Sequence, residues 1–239
     1  IDRYDISVEQ KPESIESVVT MKGAALATSD VFTFCLNPGL KVEEVKEGEK
    51  TLDFKRDKQI LLVDFGRKIE GGDTVSLSVR YAGRIADNFC YLDIPAEVLQ
   101  EPYEKELLKI DKKYSFQTPD YVLFTPETYW YPRPGTAYSD ISPDWQQTYF
   151  SRFRLDVKPL PGLVAVSQSG NAPYQSVSLI IGRYEQKSFE SDSTLYSVWH
   201  IKGHDYYEAA FDSIRDTIPG LVRNLRDNLE RTYKLSYPF

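Results

Sequence analysis

From Tyr4 to Arg84 apolar and polar positions alternate in short segments separated by turn signals. The segments "YDISVE", "SIESVVTMKG", "VFTFCL", "LKVEEVKE", "TLDFKR", "QILLVDF" and "TVSLSVRYAG" each read as a strand. In the last of them Val75, Leu77, Val79 and Tyr81 share one face while Ser76, Ser78 and Arg80 share the other, the period of a half-buried strand. "NPG" at 37–39 and "GGD" at 71–73 mark turns between strands. Further strands are predicted in "TYFSRFRLDVKP", "GLVAVSQ", "SVSLIIGRYEQKSF" and "STLYSVWHIKG". The pattern predicts an antiparallel β-sandwich or a pair of curved, saddle-shaped sheets.

Three stretches depart from period two. Residues 97–110, "EVLQEPYEKELLKI", predict a short charged helix or helical turn after Pro102. Residues 121–145, "YVLFTPETYWYPRPGTAYSDISPDW", are aromatic and proline-rich, which predicts an ordered loop, since flexible linkers carry few aromatics. At the C-terminal end the period becomes helical. Tyr207, Ala210, Phe211 and Ile214 fall on one face of a first helix, and Leu221, Leu225 and Leu229 on one face of a second. Asp216 or Thr217 stands where a cap is needed, and Pro219 falls in the first turn, where a missing N–H costs little. The fold class expected is mainly β with a short C-terminal α-helical segment.

Length and composition narrow this picture only a little. A chain of 239 residues fits one large domain, or one domain and a small appendage. The longest apolar runs, such as "ILLV" at 60–63, fall far short of the ~20 residues of a spanning helix, so a soluble segment is expected. The opening "IDRYDISVEQ" lacks the basic start and apolar stretch of a signal peptide. A formal charge of −7 argues against a nucleic-acid partner. Cys35 and Cys90 both lie in apolar, strand-like surroundings; they read as buried thiols or, in an oxidising compartment, as a disulfide.

Candidate chemistry begins with "HIKGH" at 200–204, which holds both histidines of the chain. Their spacing is that of the zinc-peptidase signature HExxH, but Ile201 stands where the catalytic Glu belongs. The preceding "TLYSVW" alternates like a strand and Gly203 signals a turn, and on such a path positions i and i+4 do not converge. His200 is therefore placed at a strand end and His204 near the start of a helix, each available to cap or pair. No GxSxG elbow or glycine-rich phosphate loop occurs. Ser167 and Ser169 lack an evident base, and the pairs Glu43/Glu44 and Asp212/Asp216 read as solvated faces. No catalytic residue and no metal ligand is assigned to this chain.

The aromatic loop is the strongest candidate for contact. Tyr129, Trp130, Tyr131, Tyr138 and Trp145 lie close to Glu127, Arg133, Asp140 and Asp144. Such rings can fill the gap between two sheets, seal against another domain, or hold a carbohydrate.

Several stretches, taken in order, resemble the N-terminal domain of the aminopeptidase N family of zinc metallopeptidases. "FTFCLNPGLKVEEV" resembles its early strand pair. "IEGGDTVSLSVRYAGRI" is similar to its glycine turn and the strand ending in Tyr-x-Gly. "YFSRFRLDVKPLPGLVAVSQSG" resembles the strand entering its saddle-shaped sheet and the Ala-x-Ser-x-Gly that follows. "LRDNLERTYKLSYPF" resembles the first helix of its peptidase domain and the Tyr-Pro segment after it. At the place of the family's TQ-x-E and Phe-Pro-Cys-x-Asp stretches stands "LFTPETYWYPRPGT", in which Glu127 and Pro132 are counterparts but the Gln, Cys and Asp are missing. In this the chain resembles a bacterial branch whose peptidase-like region is fused to a transporter-like, membrane-embedded permease.

The resemblance implies a division into a β-domain at 1–203 and, at 204–239, the helical start of a truncated metallopeptidase-like domain. It implies that the zinc motif and the Gly-x-Met-Glu-Asn loop of the family lie beyond Tyr237-Pro238, so zinc is expected in the parent protein and no cofactor in this chain. The implied role is non-catalytic: covering the substrate cleft and packing on a C-terminal peptidase-like domain. Glu127, Tyr129, Trp130 and Tyr131 would meet the substrate, whose N-terminus is the expected ligand. A membrane would be reached only through other parts of the parent, with this domain as a candidate extracytoplasmic portion. The alternative is a stand-alone β-sandwich that binds carbohydrate or protein.

Overall fold

The computed structural model describes residues 1–86, 115–135, 150–166, 173–192, 194–234 and 236. The first eight strands are β1 (Arg3–Gln10), β2 (Ile15–Ala24), β3 (Ser29–Cys35), β4 (Leu40–Glu47), β5 (Lys50–Thr51), β6 (Asp53–Asp57), β7 (Ile60–Ile69) and β8 (Thr74–Gly83). Next come β9 (Ser115–Gln117), β10 (Val122–Phe124), a 3-10 turn at Pro126–Thr128 and β11 (Arg133–Pro134). They are followed by β12 (Ser151–Lys158), β13 (Val164–Val166), β14 (Pro173–Tyr174), β15 (Leu179–Gly182), β16 (Tyr184–Ser191) and β17 (Thr194–Ile201). Two helices close the chain, α1 (Glu208–Ser213) and α2 (Ile218–Tyr233). The mainly β class with a helical end is as the pattern predicts. The charged helix expected at 97–110 lies outside the described residues, as do Cys90, Tyr138, Asp140, Asp144, Trp145, Ser167 and Ser169.

The chain forms two compact units, one of residues 1–161 with 165–181, the other of residues 162–164 with 182–239. The first contains a seven-stranded sheet in the order β14-β12-β1-β2-β8-β4-β5 and a four-stranded sheet in the order β11-β3-β7-β6. A further small sheet runs β13-β15-β10-β9. Alternation decides which side chains turn inward. Tyr4, Ile6 and Val8 of β1, Ile15, Val19 and Met21 of β2, and Leu77, Val79 and Tyr81 of β8 are buried, as the period of each strand requires.

An apolar cavity of about 60 Å³ lies between Met21 and Leu77 of the large sheet and Phe32, Phe34 and Phe65 of the second, so these two sheets face each other. Among the described residues, the sandwich departs from the antiparallel expectation at β1. β1 pairs with β12 in parallel, from Arg3 opposite Arg152 to Glu9 opposite Lys158. Local hairpin signals in a sequence predict antiparallel neighbours, whereas this pair joins segments about 150 residues apart. Two glycines permit a close crossing where β8 ends against the start of β4: a Cβ on Gly39 would stand 2.0 Å from the Arg84 carbonyl oxygen, and one on Gly83, at φ +147°, would meet the Gly39 carbonyl at 2.3 Å.

The second unit is a hairpin and two helices. β16 and β17 pair over their whole length, Tyr184 opposite Ile201 through Ser191 opposite Thr194. Thr217 stands at the N-terminal boundary of α2 but does not cap it. Its backbone is already helical, and its hydroxyl donates backward to the Ile214 carbonyl at 3.0 Å. Pro219 occupies the first turn, as the sequence predicts. No helix among the described residues is long and apolar enough to cross a membrane, which says nothing of strands.

Candidate functional site: the aromatic loop and the histidine segment

Pro126 starts the short 3-10 turn with its φ already restricted, and Thr128 closes it by donating its hydroxyl to the Thr125 carbonyl at 2.6 Å. The turn ends on Tyr129 in the left-handed region, φ +50° and ψ +44°, which is uncommon for a bulky residue. What holds it there is Asn37, which is fully buried. The Asn37 amide donates to the carbonyls of Thr128 at 2.8 Å and Ala86 at 3.2 Å, while its Oδ1 accepts from the N–H groups of Gly39 and Ala86. Its backbone N–H donates to the Tyr129 carbonyl at 2.9 Å. One amide thus ties three loops together, with every donor and acceptor engaged.

The rings that follow point into the body. Tyr129, Trp130 and Tyr131 are 6%, 0% and 1% exposed, so none offers an open face. Trp130 Nε1 donates to the Val177 carbonyl at 3.1 Å, and the Tyr81 hydroxyl donates to the Trp130 carbonyl at 2.9 Å. Tyr131 sits edge-on to Tyr4 at 5.4 Å and to Phe153 at 5.8 Å, and Tyr4 stacks on Phe153 at 4.9 Å. Burial pushes the hydroxyls of Tyr4, Tyr81 and Tyr131 upward from the usual tyrosine range, so all three stay neutral. Arg133 lies over the Tyr129 ring at 5.4 Å. Of the four residues expected to meet a substrate, Glu127 is the exposed one.

Beneath the loop lie a thiol and a guanidinium. Cys35 is buried and free, and burial pushes its thiol up to about 12, the signature of an unreactive cysteine. Arg56 donates to the carbonyls of Leu36 and Asn37, both at 2.7 Å, and burial brings its guanidinium down to about 10. The signal for this hub in the sequence is "LNPG": the turn was legible, but not the amide's reach to Thr128 and Ala86.

The histidines lie apart in role, as the strand-and-turn reading predicts. His200 is in β17 and 7% exposed, with Nε2 at 2.8 Å from Glu208 Oε1 and Nδ1 at 3.3 Å from the Ile201 carbonyl. Gly203, at φ +83°, turns the chain, and His204 is exposed beyond it. Among the described residues no group of three or more His, Cys, Asp and Glu side chains could hold a metal. The donor set of the described residues therefore does not fit a zinc ion, and no catalytic step is assigned to them.

No protein-family model matches the chain, and no curated protein matches it in sequence. Solved structures do match in fold. The M1 zinc metallopeptidase from Deinococcus radiodurans matches with a TM-score of 0.61 at 13% identity, over 85% of this chain and 48% of that one. A mutant of it bound to a Tyr-Ser-Ala substrate matches with a TM-score of 0.60 at the same identity and coverage. A two-domain M1 zinc metallopeptidase mutant bound to L-tryptophan matches with a TM-score of 0.61, again at 13% identity. This chain therefore has the fold of part of those metallopeptidases, and it spans about half the length of each.

Proposed function

We propose that this chain is a non-catalytic β-domain of an aminopeptidase-like zinc metalloprotein, and that its second unit is the seat of a peptidase-like domain. The observation that carries the reading is the orientation of α2. Leu221, Leu225 and Leu229 are 66%, 61% and 45% exposed, and Val222 and Tyr233 beside them are exposed too. The helix is held from its other side, where Pro219 is buried and the Arg223 guanidinium pairs with Asp192 in the hairpin turn. An amphipathic helix with its apolar stripe turned outward is built to be covered. The fold likeness supports the same reading, since the metallopeptidases of this fold carry as much chain again.

In this proposal zinc belongs to the covering domain. The Pro126–Thr128 turn stands at the boundary of its cleft, with Glu127 presented outward and Tyr129, Trp130 and Tyr131 fixing the turn from beneath. An exposed carboxylate in that place suits a peptide's N-terminal ammonium. A stand-alone carbohydrate module is less well supported, because Tyr129, Trp130 and Tyr131, the rings of its platform among the described residues, are buried.

The test joins this chain to the region that follows it in its gene and measures zinc content and turnover of amino-acid anilides, beside the chain alone. Expected are zinc and turnover in the longer protein only, with Glu127→Ala raising KM at unchanged melting temperature. A longer protein without zinc and without turnover, or one in which Leu225 remains as open to solvent as before, would overturn the reading.

A further inference from the structure

α1 is six residues long, has no buried residue and no side-chain cap, and could not persist alone. A small group of contacts from the β16–β17 hairpin holds it. Phe211 packs on Phe189 at 5.3 Å, and Phe189 in turn stacks on Tyr196 at 5.0 Å. The polar contacts converge on Glu208. Its Oε1 faces His200 Nε2 at 2.8 Å, and its Oε2 faces Lys187 Nζ at 3.4 Å. Lys187 also holds Asp212, one turn further along α1, at 2.6 Å.

Both ring nitrogens of His200 face oxygens that only accept, the Glu208 carboxylate and the Ile201 carbonyl. A neutral imidazole has one N–H and must turn a lone pair toward one of these oxygens. An imidazolium satisfies both. We propose that His200 is a protonation-dependent clasp, which as imidazolium holds α1 on the hairpin and on losing its proton loosens the helix.

The groups around the ring agree. From β16, Glu185 lies opposite His200 in the strand register, and Lys187 follows two residues on. From α1 come Glu208 and Asp212. Burial disfavours the charged ring, but the Ile201 carbonyl, Glu208 and Glu185 outweigh it, and the net displacement is upward from 6.5. Because the folded value is raised, the clasp is complete below the ordinary histidine range and is lost as pH rises through the raised value. Lys187 and Phe211 keep their partners in both states, so α1 loosens without leaving. The clasp is internal to the second unit and stands whether or not a peptidase domain covers α2.

The experiment follows the ring and the helix together. In a His204→Asn background His200 is the single histidine, so its proton resonances give the midpoint directly. Hydrogen exchange of the α1 and hairpin amides, corrected for intrinsic rate, is read from pH 6 to 9. Expected are a midpoint above 6.5 and protection of α1 that falls about threefold to tenfold across it, while β16 and β17 keep theirs. Glu208→Gln, which keeps the shape and removes the charge, should lower the midpoint and diminish the step. A midpoint at or below 6.5, α1 protection that is flat with pH, or a step unchanged by Glu208→Gln would each overturn the clasp.

Discussion

The two units of the chain treat their apolar side chains in opposite ways. In the first, alternate positions of β1, β2, β7 and β8 are buried, and the loop after the 3-10 turn sends three large rings inward to join them. In the second, among the described residues, Leu163, Phe189 and Pro219 are buried, while Leu195, Ile201, Ile214, Leu221, Leu225 and Tyr233 are exposed. The first unit has the makings of an independent core. The second is held by polar clasps, His200 with Glu208, Lys187 with Asp212 and Arg223 with Asp192, which in water contribute little each. In the second unit, then, large apolar side chains of α2 are left exposed, and the ion pairs of Lys187 with Asp212 and of Arg223 with Asp192 lie at the surface.

The comparison predicts that damage to the first unit is costly. Trp130→Ala removes a fully buried ring and leaves the Val177 carbonyl without its donor. A loss of about 3–5 kcal/mol is expected in urea unfolding followed by tryptophan fluorescence and far-UV circular dichroism. Asn37→Ala comes next. It leaves the Thr128 carbonyl and the Gly39 and Ala86 N–H groups unpaired in a buried place, at about 2–4 kcal/mol, and frees Tyr129 from its left-handed conformation. A change below about 1 kcal/mol for Asn37→Ala would mean that the loop is held by its rings and not by the amide.

How far the sequence reveals all this follows the range of each interaction. The faces of β1, β2 and β8 were legible because alternation is local, and so was the stripe of α2. The parallel pairing of β1 with β12 was not, since nothing near Arg3 points to Arg152. The stretch 121–145 reads as an ordered loop from its aromatics, but composition cannot say which way the rings at 129–131 face. Asn37 looked like an ordinary turn residue, because its partners lie 49 and 91 positions away. In HIKGH the alternation of the preceding TLYSVW and the turn residue Gly203 place a strand end and a turn, while the partner of His200 depends on how α1 folds back.

The smallest expected effect on stability is the most informative about function. In the chain alone, Leu221→Ser with Leu225→Ser replaces two exposed side chains and should shift unfolding by no more than about 0.5 kcal/mol. The same pair in the longer protein would sit in a buried interface, where each leucine lost costs several times as much. The difference between the two contexts isolates the covering domain, because everything internal to the chain cancels. Equal and negligible effects in both would leave α2 a solvent-facing helix and return its stripe to the scattered apolar surface that ordinary proteins carry. A large effect in the chain alone would break the comparison from the other side, by showing that the second unit already uses those leucines for its own stability.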